Sequence, residues 1–210
     1  MKRALPLIGA LVVAACTYQT PVSFAPGFKV GELPAQGIEQ RIGGRYVLVV
    51  GGIEKLSRKI RGRGLSCSSY SFRVDIGAIT RDSVRQILGQ VFEDLRIAQT
   101  APTRKEMREQ NVDGVITVRV DRFAPWLSFS NGTAALTNLD LSLTVEGANG
   151  PLFATSVTTV RRGEADADAS CQGAAAAVAR SVEFAIQDAL TRLVDQLVAS
   201  EELRQASTEI

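Results

Sequence analysis

The stretch that decides the fold is NLDLSLTVEGANGPLFATSVTTVRR, residues 138–162. In its first half Leu139, Leu141, Leu143 and Val145 alternate with Asp140, Ser142, Thr144 and Glu146. A period of two sends successive side chains to opposite faces, so this half reads as a strand with one apolar and one wet face. Asn149-Gly150 supplies turn chemistry, and LFATSVTTVRR returns as a second strand, completing a hairpin signal.

Working outward, VITVRVDRF repeats the alternation: Ile116, Val118 and Val120 oppose Thr117, Arg119 and Asp121. SYSFRVDI, residues 69–76, does the same with Tyr70, Phe72, Val74 and Ile76. RYVLVV, residues 45–50, is a continuous apolar run of strand length that ends at Gly51-Gly52. Two segments carry helical spacing instead. After Thr80, read as an N-cap with Asp82 in the first turn, come Val84, Ile87, Leu88, Val91, Phe92 and Leu95 at steps of three and four. From Ala174 to about Ser200 the apolar series is Val178, Val182, Ile186, Leu190, Leu193, Val194 and Leu197. Residues 101–111 are polar, with room for one short helical turn.

The element order is strand, strand, helix, three strands, helix. It predicts an α/β (α+β) domain, a two-layer sandwich. Its largely antiparallel sheet of about five strands would be covered on one face by two amphipathic helices.

The N-terminus has a different logic. Lys2 and Arg3 precede an apolar segment, Ala4 to Ala15, broken by Pro6 and Gly9. It is shorter than the roughly 20 residues of a spanning helix and has the length of a signal-peptide hydrophobic region. Its exit, Val13-Ala14-Ala15-Cys16, resembles the bacterial lipobox, which implies that Cys16 becomes the first mature residue and carries acyl chains such as palmitate. The alternative is an ordinary cleaved signal beside an incidental cysteine. Thr17, where an aspartate is absent, implies sorting to the outer membrane. Pro21, Pro26 and Pro34 then oppose regular structure. The organisation expected is a signal peptide over 1–15, a flexible tether over 16–40, a periplasmic domain over 41–204 and a tail over 205–210.

The full chain carries 24 basic and 22 acidic residues; loss of Lys2 and Arg3 leaves the mature chain near neutral, so charge gives no argument for nucleic acid. Histidine is absent, which excludes a Ser-His-Asp or Cys-His arrangement and removes the commonest metal ligand. With Cys16 acylated, Cys67 and Cys171 remain. In an oxidising compartment two leftover cysteines suggest one disulfide; free buried thiols and a redox site are the rival readings.

The lipobox, SFRVDI leading into DSVRQILGQVFEDL, VITVRVDRF, NLDLSLTVEGANG and a long last helix ending near VASEELRQ together resemble the small YajG-type bacterial lipoproteins. The layout is more distantly similar to accessory lipoproteins of envelope machines: those of lipopolysaccharide transport, penicillin-binding-protein activation and curli secretion. The resemblance implies an outer-membrane, periplasm-facing protein without enzymatic activity, and names no ligand or cofactor.

Two surface candidates emerge. Lys55, Arg58, Lys59, Arg61 and Arg63, with Glu54 alone against them, would suit anionic head groups or an acidic partner, or else form a solvated loop. Phe123, Trp126, Leu127 and Phe129 gather in a proline-containing connection, as a docking anchor or as satellite core. VVGGIEK fails the dinucleotide spacing. Asp94, Asp113, Asp121 and Glu146 form no recognisable acid pair, and EADAD (164–168) reads as a weak cation site or a polar loop. No catalytic residue, metal ligand or cofactor is therefore assigned. The expected function is a lipid-anchored, non-enzymatic accessory or docking module of a cell-envelope assembly, held to the membrane by its acyl chains and to an envelope protein by its surface. The other classes are an oligomeric secretion-channel or scaffold lipoprotein and a small-ligand (lipid) carrier.

Overall fold

The computed structural model describes residues 18–24, 41–52, 56–62, 70–129, 133–165 and 171–208. Its strands are β1 (Tyr18–Pro21), β2 (Ile42–Gly51), β3 (Ser57–Arg61), β4 (Tyr70–Asp75), β5 (Phe92–Ala98), β6 (Gly114–Ser128), β7 (Thr133–Gly147) and β8 (Gly150–Ala165). Its helices are α1 (Gly77–Val91), α2 (Arg104–Glu109), α3 (Gln172–Val198) and α4 (Glu201–Thr208).

The main sheet has the order β5-β2-β6-β7-β8. The hairpin read from residues 138–162 forms one end of it, as β7 and the edge strand β8, with Leu141 opposite Val157 and Leu143 opposite Thr155. The sheet is α+β as expected and mixed in direction. β6, β7 and β8 are antiparallel, whereas β5 and β6 both run parallel to β2. The unbroken apolar run of β2 follows from this position. Tyr46 and Leu48 face the main core, while Val47 enters a small second cluster with Val115, Val112 and Met107 of α2. A strand covered on both faces has no wet side on which to alternate.

Helices α1 and α3 cover the other face of the sheet. Val84, Ile87, Leu88 and Val91 of α1 and Val178, Val182, Ile186, Leu190, Leu193 and Leu197 of α3 are buried against Ile116, Val118, Leu139, Leu141, Leu143 and Val145. Burying one such side chain contributes on the order of 1.5–3 kcal/mol, so these two faces dominate cohesion. Close approach of α3 depends on Gly163: a Cβ there would stand 2.2 Å from the carbonyl oxygen of Ala177.

Several boundaries differ from the reading of the sequence. α1 begins at Gly77, where the Asp75 carboxylate accepts the Gly77 N–H at 3.0 Å. Thr80, expected as the N-cap, is buried inside the helix. The helix ends at Val91 because Phe92 turns extended and opens β5, a strand hidden under continuing helical spacing. Arg41 closes that end by donating to the carbonyls of Gly89 and Phe92 at 2.7 and 2.5 Å. The polar stretch 101–111 does hold a helical turn, α2, fixed by a capping box between Thr103 and Glu106.

A second sheet, β1-β4-β3, is the main departure. SYSFRVDI belongs to it and not to the large sheet. Part of the basic connection is its strand β3, antiparallel to β4. Tyr18–Pro21, expected within a flexible tether, pairs in parallel with β4, and Val22 is buried. Phe72, Val74, Ile60 and Val22 turn inward to the main core, so both sheets enclose one hydrophobic interior. Residues 201–208, partly expected as a tail, form α4, with Leu203 buried.

Candidate docking surfaces

The polar faces of the two sheets gather the chemistry that the core does not use. On the large sheet, cross-strand register places Trp126 opposite Leu136, and Leu136 opposite Arg162. Asn138 lies between Ala124 and Val160 in the next row. Trp126 is 38% exposed and Val160 55% exposed. This is the face that carries Asp140, Ser142 and Thr144 opposite their buried leucine neighbours. It therefore combines an apolar spot with a polar surround that includes the Arg162–Glu164 pair at 2.7 Å.

The aromatic segment is thus a strand, not a connection, and its three candidate rings divide. Phe123 is buried in the core. Phe129 packs partly buried against that core, its ring over Gly62, where a Cβ would lie 1.8 Å from a ring carbon. Only Trp126 of the three points to the open face. Leu136, Val160 and Arg162, its neighbours there, were not singled out in the sequence. They come together through strand register, which only the pairing reveals.

On the small sheet, β3 pairing separates the basic residues. Lys59 stands opposite Arg73 and Arg61 opposite Ser71, on the outward face with Gln19 and Ser57. Arg58 takes the other parity, and its Nε donates to the Phe123 carbonyl at 3.5 Å. Lys55 and Arg63 lie outside the described residues. Arg73, overlooked within an alternating strand, joins Lys59 because β3 and β4 are antiparallel neighbours. Gln19, Ser57, Lys59, Ser71 and Arg73 line a groove of about 300 Å³, in which Arg73 Nε donates to Ser57 Oγ at 3.4 Å. No described carboxylate forms an ion pair with Lys59, Arg61 or Arg73.

The scattered acids are committed locally. Asp94 pairs with Arg45 at 3.2 Å, Asp121 with Arg119 at 2.6 Å, and the Asp113 carboxylate accepts the Arg45 backbone N–H at 2.7 Å. Among the described residues no three His, Cys, Asp or Glu side chains gather as a metal site. Of EADAD, Asp166, Ala167 and Asp168 lie outside the described residues. Tyr46, at the base of the core, has its phenol pushed above the ordinary tyrosine pKa by burial and then by the charge of Asp113. Its ring centroid is 4.6 Å from that of Phe92, a packing role and not an accessible acid. Cys171 is buried at the start of α3 with a left-handed backbone, φ 59°. Cys16 and Cys67 lie outside the described residues.

Architecture of this kind has been seen before. Protein XCC0632 from Xanthomonas campestris, of family DUF330, superposes with a TM-score of 0.53 at 14% identity over 91% of this chain and 99% of its own. In fold this chain is similar to that protein. Weaker likenesses include the PelC dodecamer from Paraburkholderia phytofirmans, with a TM-score of 0.40 at 15% identity, covering 78% of this chain and 94% of that one. The lipoprotein GNA1162 from Neisseria meningitidis gives 0.35 at 11% identity, covering 74% of this chain and 99% of that one. The sequence matches no family model and no curated protein.

Proposed function

We propose that the chain is a lipid-anchored lipoprotein of the outer membrane, facing the periplasm. It would serve as a non-enzymatic docking module of a cell-envelope assembly, of the YajG type that its sequence resembles. The observation that carries this reading is the Val13-Ala14-Ala15-Cys16 exit from a short apolar run. Two or three acyl chains at one cysteine hold a protein to a bilayer where a single chain is marginal. The docking role is supported by Trp126, exposed beside Leu136 and Arg162 on an otherwise polar sheet face. Tryptophan and arginine are the residues in which binding energy concentrates at protein interfaces.

A Cys67–Cys171 bridge belongs to the same reading. The disulfide-bonded state of Cys171 supports it, as does the oxidising compartment that the leader implies.

Fractionation of cells expressing the native chain and Cys16→Ser tests the anchor. The native protein should follow the outer membrane and carry the mass of its acyl groups, and the variant should be released. Retention of the variant would overturn the assignment. A photo-cross-linking residue at position 126 tests the docking face: a discrete adduct absent from the same probe at Lys105 is expected, and equal labelling at both sites would refute it.

A further inference from the structure

We infer that the outward face of the small sheet, centred on Lys59, Arg61 and Arg73, lies flat on the bilayer and binds the phosphates of anionic lipid head groups. The inference rests on the acyl-cysteine reading and deepens it, from a domain held at a distance to a domain with a defined face on the membrane.

Two observations converge on this face. The first is reach. Tyr18 is already a strand residue, paired with Tyr70 at the start of β4. Only Thr17 lies between position 16 and it, and the two residue steps span at most about 7 Å. A cysteine whose acyl chains enter the bilayer therefore holds this end of the small sheet within the head-group layer.

The second is charge. With β1 in place, the outward rows read Gln19, Ser71 and Arg61, then Arg73, Lys59 and Pro21, then Ser57 and Asp75. Three cations face outward. Asp75, the one acid in these rows, accepts the Gly77 N–H. Lys59 and Arg73 share the groove with Ser57 and Gln19. Ammonium, guanidinium, hydroxyl and amide donors at the floor and rim match the acceptor-only oxygens of a phosphodiester. The inward rows are committed to the core through Phe72, Val74 and Ile60, so the sheet can meet the membrane with this face alone. An acidic protein could exploit the same cations, but the short covalent link favours the lipid surface that the anchor already touches.

The test separates face from anchor. Mature Cys16→Ser chain, which cannot be acylated, is mixed with vesicles of phosphatidylglycerol and phosphatidylethanolamine, or of phosphatidylcholine alone, and sedimented. Binding to the anionic vesicles only, weakening as salt rises, is expected. Lys59→Gln and Arg73→Gln should each lower partitioning about fivefold, whereas Lys105→Gln on α2 should leave it unchanged. Circular dichroism checks that the variants fold. Should they not, the salt dependence of the parent chain and its preference between the two vesicles still decide. Equal binding to both vesicles, or no binding to either, would overturn the inference. An unacylated Cys16 in cells, found by mass spectrometry, would instead remove the anchor and leave the vesicle result standing.

Discussion

The hydroxyls of Thr137 on β7 and Ser181 on α3 lie 2.8 Å apart in the core, and Ser181 also donates to the Val178 carbonyl at 2.9 Å. With its proton so engaged, Ser181 Oγ accepts from Thr137. The two substitutions are therefore unequal. Ser181→Ala strands a buried donor and should cost on the order of 1–3 kcal/mol. Thr137→Val leaves Ser181 its carbonyl partner and should cost less, and the double variant should be less damaged than the sum of the singles. Urea denaturation of the three proteins measures the order.

Gly163 is needed for a contact and not for its backbone freedom. Gly163→Ala drives a methyl into the Ala177 carbonyl and the Ser181 N–H, at 2.2 and 2.6 Å. Neither backbone group can rotate aside, so α3 must move from β8. A loss of about 1–3 kcal/mol is expected, with a lower thermal midpoint. Gly89→Ala, whose Cβ would meet nothing within 4 Å, should be neutral or stabilising in its helix.

Tyr46 predicts the alkaline limit of stability. Its folded-state pKa is raised by burial and by Asp113, so folding favours the protonated phenol. That contribution is complete below the unfolded tyrosine value near 10 and is lost as pH climbs toward the folded value. One of the three tyrosines should show phenolate absorbance only as the tertiary signal collapses. Tyr46→Phe should remove that step. A freely titrating phenolate in folded protein would contradict the prediction.

If Cys67 and Cys171 are bridged, the oxidised chain should run faster than the reduced one in a non-reducing gel, and Cys67→Ser should abolish the difference. Closure of a loop of about 100 residues corresponds to roughly 4–5 kcal/mol in the chain-entropy model. Unfolding midpoints with and without reductant should differ in that direction.

Trp126→Ala should leave thermal stability nearly unchanged, because its side chain lies on the open face. Phe123→Ala, three residues away on the same strand but in the core, should cost about 3–5 kcal/mol. Similar losses at the two positions would mean that Trp126 is core and that the proposed docking face is misplaced.

The contrast between these two rings shows what was legible in the sequence. Alternation identified β4, β7 and the start of β6, and helical spacing identified α1 and α3, because each buries one face and wets the other. β5 was hidden because FEDLRIA follows α1 without a turn residue, and Phe92 and Leu95 happen to continue its spacing. Pro125 argued against a strand, yet β6 runs through it opposite Thr137. Beyond Arg119 the β2 ladder has ended and β6 pairs in the large sheet only with β7, and a proline is tolerated where one side of a strand makes no ladder bonds. The candidate surfaces were legible as residue types but not as groupings. Nothing in the sequence places Arg73 beside Lys59 or Leu136 beside Trp126, since those neighbours arise from pairing across distant segments.

The four residues of β1 have a consequence for how far the domain stands from its attachment point. While they hold to β4, the leash from position 16 is two residue steps long. Were they to peel away, the link to Arg41 would lengthen to about 25 residues, a contour of roughly 80 Å, with the large sheet and its helices undisturbed. A short parallel edge strand thus acts as a clasp on stored chain, and its hold fixes whether the domain rests on its support or ranges well beyond it.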